Sequence, residues 1–160
     1  MPVLRPISEN EYAAWLATVI PEYAADKVAT GQWAAETSLE LSREAFEDLL
    51  PQGPRTADNR IYTILSAEGA PVGTLWIAIQ ARGTQRVAYV YDVVIGREHR
   101  RRGHAERAFK ALEQEAAGLG LSGIALHVFG HNHGAQALYA KLGFVATNIN
   151  LFKPLVHQGT

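Results

Sequence analysis

Three strand-like runs, at 60–67, 72–80 and 86–95, follow one another with only Glu68-Gly69-Ala70-Pro71 and residues 81–85 between them. Both connections carry turn chemistry, and runs joined this closely pair as antiparallel neighbours, so the middle of the chain reads as a β-meander. What flanks it has a different period. Upstream, Tyr12, Trp15, Leu16, Val19 and Tyr23 fall at helical spacing within 9–29, and Leu39, Phe46, Leu49 and Leu50 do so within 38–50, with Thr30-Gly31 dividing the two helices. Downstream, Ala105, Ala108, Phe109, Leu112, Ala116 and Leu119 mark a third helix ending at Gly118 and Gly120. A buried strand at 123–128, a short helix at 135–141 stopped by Gly143, and a last strand region at 144–152 complete the reading.

The expected fold is therefore mixed α/β, helices first. At 160 residues the chain fits a single domain, expected over 1–160. No apolar run approaches the ~20 residues of a membrane span, so no membrane role is expected. The opening residues lack the pattern of a secretory signal and the chain has no cysteine, which points to the cytoplasm. Charge is uneven: residues 1–60 carry −5 and residues 61–160 carry +4. An anionic ligand suits the later part and a cationic one the earlier part.

Chemistry concentrates where the apolar strand ending at Ile95 runs into Arg100-Arg101-Arg102-Gly103-His104-Ala105 and then a helix. A helix N-terminus offers unpaired N–H groups and a positive dipole end, glycine allows close backbone approach, and the arginines add charge, a combination suited to phosphate. A solvated basic turn is the plain alternative.

Arg100-x-x-Gly103-x-Ala105 resembles the pyrophosphate-binding signature of the GNAT superfamily of acyl-CoA-dependent N-acetyltransferases. Asn132, Ala135, Leu138, Tyr139, Lys141, Gly143 and Phe144 resemble that superfamily's second cofactor motif in the right order. The strand end from Leu126 to Asn132 is similar to that of uncharacterised bacterial members. The resemblance covers about residues 60–153, the acetyl-CoA-binding core, and leaves 1–59 as a helical region on the acceptor side. It implies a mostly antiparallel central sheet flanked by helices, whose fourth and fifth strands run parallel and splay apart. Backbone groups of Val93, Val94 and Ile95 would then meet the pantetheine arm of acetyl-CoA, and Arg100, Arg101, Arg102, Gly103, His104, Ala105 and Glu106, with Asn132 and Tyr139, would complete the cofactor site. Glu106 departs from the pattern, and its carboxylate must turn away from a pyrophosphate.

The resemblance also implies direct acetyl transfer to a primary amine, with Tyr139 protonating the departing thiolate; a packing role beside Leu138 and Phe144 is its alternative. His127 is the first candidate base, histidine being the side chain suited to proton transfer at physiological pH, and Asp92 at the end of the fourth strand is the second. Glu36 and Glu40 are candidates for holding a cationic acceptor. His127, His131 and His133 lack a cysteine or carboxylate companion, so no metal is expected. A pI of 6.6 argues against nucleic acid. A monomer or homodimer is expected, and a non-catalytic acyl-CoA sensor is the alternative function.

Overall fold

The computed structural model describes residues 2–157. They fall into two compact units, residues 2–127 and 128–157. The first contains β1 (Leu4–Pro6), α1 (Glu9–Ala29), α2 (Ser38–Leu49), β2 (Asn59–Leu65), β3 (Pro71–Arg82), β4 (Gln85–Ile95), α3 (His104–Gly118) and β5 (Gly123–Leu126). Short 3-10 turns occupy Gly53–Arg55 and Arg97–His99. The second unit contains α4 (His133–Lys141).

The five strands lie in sequence order in one sheet, antiparallel except for the parallel β4–β5 pair. α1 starts on a capping box: the Glu11 N–H donates to Ser8 Oγ at 3.2 Å, and the Ser8 N–H donates to Glu11 Oε1 at 2.9 Å. Glu11 also takes a paired contact from Arg5 at 2.9 and 3.0 Å, which ties the helix start to β1. That guanidinium holds the Glu11 carboxyl down at about 2. α2 is fastened to α1 by the buried Ser42 hydroxyl, which donates to the Ile20 carbonyl at 2.7 Å.

Each helix layer takes one face of the sheet because strand side chains alternate. Ile61 and Trp76 share a rung and join Trp15, Val19, Phe46 and Leu50 in the core beneath α1 and α2. Tyr62 and Leu75 share the next rung on the opposite face, where α3 places Glu115 near enough to act on the Tyr62 hydroxyl. Phe109 and Leu112 of α3 are each 1% exposed, and burying side chains of this size contributes about 1.5–3 kcal/mol apiece.

Two features set the geometry of β4. Its register against β3 slips between Trp76↔Asp92 and Ile77↔Val90, so Tyr91 is an extra residue, a β-bulge. Its pairing with β5 runs only from Val87↔Gly123 to Val90↔Leu126. Past that rung, residues 91–95 have no ladder partner on the β5 side among the described residues, which is the expected splay.

The sequence reading needs three corrections. β1 was not anticipated, because three residues give no measurable period; Pro6 is acceptable there on an edge strand. β5 stops at Leu126 rather than residue 128, at the last rung before the bulge bends β4. The strand region expected at 144–152 does not form among the described residues, and Val145, Ile149, Leu151 and Phe152 are exposed. An alternating pattern makes a strand only where a neighbour satisfies its N–H and C=O groups.

Candidate active site

The bulge puts two consecutive β4 residues on the α1 side of the sheet. The Tyr91 ring stacks on Trp76 with centroids 4.5 Å apart and planes 19° apart, and Asp92 occupies the rung opposite Trp76. Asp92 is largely enclosed. Burial pushes its carboxyl up to about 6, the nearby Trp15 indole N–H lowers it in part, and the charge of Glu22 on α1 raises it further. Among the described residues, neither Trp15 Nε1 nor Asp92 Oδ2 has a partner in good hydrogen-bond geometry. An unpartnered buried carboxylate is costly, and a near-neutral pKa suits a group that takes a proton at physiological pH.

Next to it lies a cleft of about 380 Å³ between α1 and the β3–β4 ladder, lined by Trp15, Glu22, Thr63, Thr74, Val94 and Glu98 among others. Its floor is held close by Gly73, which faces Ile95 across the ladder. A Cβ there would press into the Val94 carbonyl oxygen, so only glycine lets the two strands approach this far.

After β4 the chain turns through residues 96–103 into α3. Arg100 Nε donates to the Ile95 carbonyl at 3.0 Å, so this side chain buttresses the strand end. Arg101 and Gly103 both have left-handed backbone, at φ 64° and 79°. Gly103 is the N-cap of α3 and supplies no side-chain cap, which leaves the N–H groups of His104, Ala105 and Glu106 at the dipole's positive end. The Glu106 carboxylate is paired along the helix with Lys110 Nζ at 3.3 Å. His104 lies 3.1 Å from Arg107 through Nδ1; burial, then the charges of Arg107, His99 and Arg102, lowers its pKa and keeps the ring neutral.

His127 lies one residue past β5, exposed rather than inside a strand as the sequence suggested. Glu36 is exposed, and Glu40 is exposed and paired with Arg43 at 3.5 Å. In the second unit Asn132 caps α4, its Oδ1 accepting from the Ala135 N–H at 3.2 Å. Tyr139 is half-buried on α4 and meets Phe144 edge-on at 5.5 Å. His131 stacks on Phe129 at 5.6 Å, and His133 opens α4. Trp15, Glu22, Trp76 and Tyr91 escaped sequence reasoning, since each looks like a core or surface residue until the bulge gathers them around Asp92.

An open strand edge running into an uncapped, arginine-rich helix start is the arrangement the sequence motif required, and residues 23–144 match the Acetyltransferase (GNAT) family. The chain belongs to that family. It is 35% identical over 153 residues to the Uncharacterized N-acetyltransferase YycN of Bacillus subtilis, covering 96% of this chain and 98% of that protein. It is 30% identical to the Uncharacterized N-acetyltransferase YdgE of the same organism, covering 95% and 97%. The crystal structure of YycN superposes with a TM-score of 0.85 at 34% identity, over 96% of this chain and 98% of that one. A Pyrococcus furiosus structure at 23% identity, with a TM-score of 0.67 over 95% and 99% of the chains, shares the fold. Members of this family transfer acetyl groups and use acetyl-CoA as cosubstrate. Among the described residues no helix is long and apolar enough to cross a membrane.

Proposed function

We propose that this protein transfers the acetyl group of acetyl-CoA to a primary amine by direct attack within a ternary complex. The observation that carries the reading is the open edge of β4 beside Asp92, leading into the turn at 100–106, in a chain of this family. The backbone of Val93, Val94 and Ile95 takes the pantetheine amides, satisfying groups that β5 leaves unpaired. The N–H groups of Gly103 to Glu106 take the pyrophosphate, with Arg101 and Arg102 adding charge and Arg100 holding the turn. Asn132 supports the second cofactor motif by starting α4. Bound there, acetyl-CoA supplies the activated thioester.

Asp92 is the better base. It is shielded and titrates near neutrality, whereas His127 is exposed beyond the strand end. The acceptor enters the cleft beside Glu22 and Glu98, which favour a cation, and gives a proton to Asp92 directly or through water. The amine nitrogen then bonds to the thioester carbonyl carbon, the carbon–sulfur bond breaks, the thiolate receives a proton from Tyr139, and the second proton that the nitrogen loses restores the tyrosine hydroxyl through water. With no cysteine in the chain, no acyl-cysteine step is invoked. On this reading 1–160 works as one catalytic domain in the cytoplasm, with 1–59 serving the acceptor and 60–153 the cosubstrate.

The test is release of coenzyme A, followed with a thiol-reactive dye to which a cysteine-free protein contributes nothing. Some amine in a broad panel should provoke release, and Tyr139→Phe should slow it on the order of 10²-fold with cosubstrate binding intact. If no amine releases coenzyme A while acetyl-CoA binds, the protein is an acyl-CoA sensor instead.

A further inference from the structure

Two buried side-chain atoms on the α1 side of the sheet lack a partner in good geometry, and they are complementary. Trp15 Nε1 can only donate, and Asp92 Oδ2 belongs to a group that can only accept once it is ionised. The third such atom among the described residues, the Tyr62 hydroxyl, lies on the opposite face of the sheet. Left alone, either the indole N–H or the carboxylate oxygen would be costly to bury.

Packing fixes the indole where it is. Trp15 meets Phe46 edge-on at 6.1 Å and Trp76 edge-on at 5.5 Å, and Tyr12 lies tilted against it at 5.8 Å. Turning the ring toward another acceptor would disturb all three contacts. The neighbouring indole is no substitute, because Trp76, on the rung opposite Asp92, gives its N–H to Asn59 Oδ1 at 2.9 Å. The ionisable groups lining the cleft are Glu11, paired with Arg5; Glu22, whose charge opposes that of Asp92; and Glu98, with His99 at 3.5 Å from it. Of the groups that act on Asp92, the Trp15 N–H is the one that favours the ionised form, and a hydrogen bond to a charged acceptor is stronger than one to a neutral acceptor.

We infer that Trp15 is a positioning residue for acyl transfer, its indole N–H being the donor reserved for the ionised Asp92 carboxylate, which it holds charged and fixed in orientation beside the cleft. This deepens the acyl-transfer reading and rests on Asp92 acting as the base. Trp15 works through Asp92 and moves no proton itself. Once Asp92 has taken the proton of the amine it forfeits the stronger bond, so the same contact favours passing that proton on to solvent and readies the carboxylate for the next turnover.

Proton–nitrogen NMR of the indole groups in the intact protein tests this without requiring turnover. The Trp15 N–H signal, assigned through its proximity to Phe46, should move downfield as pH rises, with a midpoint at about 6, and should stay flat in Asp92→Asn. A flat Trp15 signal in the wild type, or the same titration in Asp92→Asn, overturns the inference. Trp15→Phe keeps a ring in place and removes the donor. With the most active amine of the panel, the pH midpoint of kcat/KM for coenzyme A release should rise by about one unit, the scale of one hydrogen bond to a charged group. That variant should be about threefold slower than wild type at pH 6.5 and match it at pH 9. An equal loss at both pH values, as a purely structural role would give, also overturns the inference. Should Trp15→Phe fail to fold, the wild-type and Asp92→Asn indole titrations decide by themselves. If no amine releases coenzyme A, or if Asp92→Asn keeps the wild-type pH profile, the acyl-transfer reading has failed, while the indole titration still decides the Trp15–Asp92 pair.

Discussion

Replacing Asp92 with asparagine should change the pH dependence of stability by an amount the structure sets. The carboxyl titrates at about 6 in the folded protein against an ordinary 3.8. A carboxyl whose folded pKa is raised binds its proton more tightly when folded, so stability is greatest below the unfolded value and is lost as pH rises through the folded one. At about 1.36 kcal/mol per pKa unit, the charged Asp92 costs the fold about 3 kcal/mol above pH 6. The amide that replaces the carboxyl does not titrate, and whatever its burial costs is the same at every pH. The stability difference between Asp92→Asn and wild type should therefore shift by about 2.4 kcal/mol in the variant's favour between pH 4, where about 0.6 kcal/mol is already lost, and pH 7.5. Other groups, including Glu11 with its opposite trend, cancel in the comparison. Urea unfolding at the two pH values measures it, and for a chain of this size the melting temperatures should separate by roughly 5–10 °C more at pH 7.5 than at pH 4. A pH-independent difference would refute the burial argument. The same variant should lose turnover, so the expected result is a steadier protein that works poorly.

Three further outcomes follow from particular contacts. Gly73→Ala should destabilise by about 1–3 kcal/mol and weaken acetyl-CoA binding, because its methyl group pushes on Val94 at the open edge; thermal melting with and without acetyl-CoA reads both effects. Gly103→Glu should weaken acetyl-CoA binding sharply by calorimetry, since a side chain at φ 79° is strained and a carboxylate opposes the phosphate. Arg5→Met should flatten the acid limb of stability: Glu11 is held down at about 2, so its contribution is present above pH 4.5 and lost as pH falls toward 2, and an acid titration by circular dichroism should show that loss disappear.

Where local pattern dictates structure, the sequence was legible. The spacing of Tyr12, Trp15, Leu16, Val19 and Tyr23 announces α1, Gly118 and Gly120 announce the end of α3, and the two short connections force the meander. Arg100, Gly103 and Ala105 announce the uncapped helix start because phosphate chemistry needs those residue types there. What stayed hidden depends on pairing across the sheet. Nothing in Tyr89-Val90-Tyr91-Asp92 reveals that Tyr91 is supernumerary, since the bulge is fixed by how β3 registers against β4. The exposure of His127 was hidden for the same reason: it interrupts an apolar run on paper, yet β5 ends just before it.

The extra residue in β4 also bears on how this strand can change over evolutionary time. Inserting or removing one residue elsewhere in a strand turns every side chain beyond it to the other face. Val90 faces α3 and Asp92 faces α1, which is the alternation a regular strand would give if Tyr91 were absent. Loss of Tyr91 would therefore straighten the strand without inverting Asp92, Val93 or Val94. Drift in strand length can be absorbed at that position, while a deletion a few residues later would reverse the side chains along the open edge of β4.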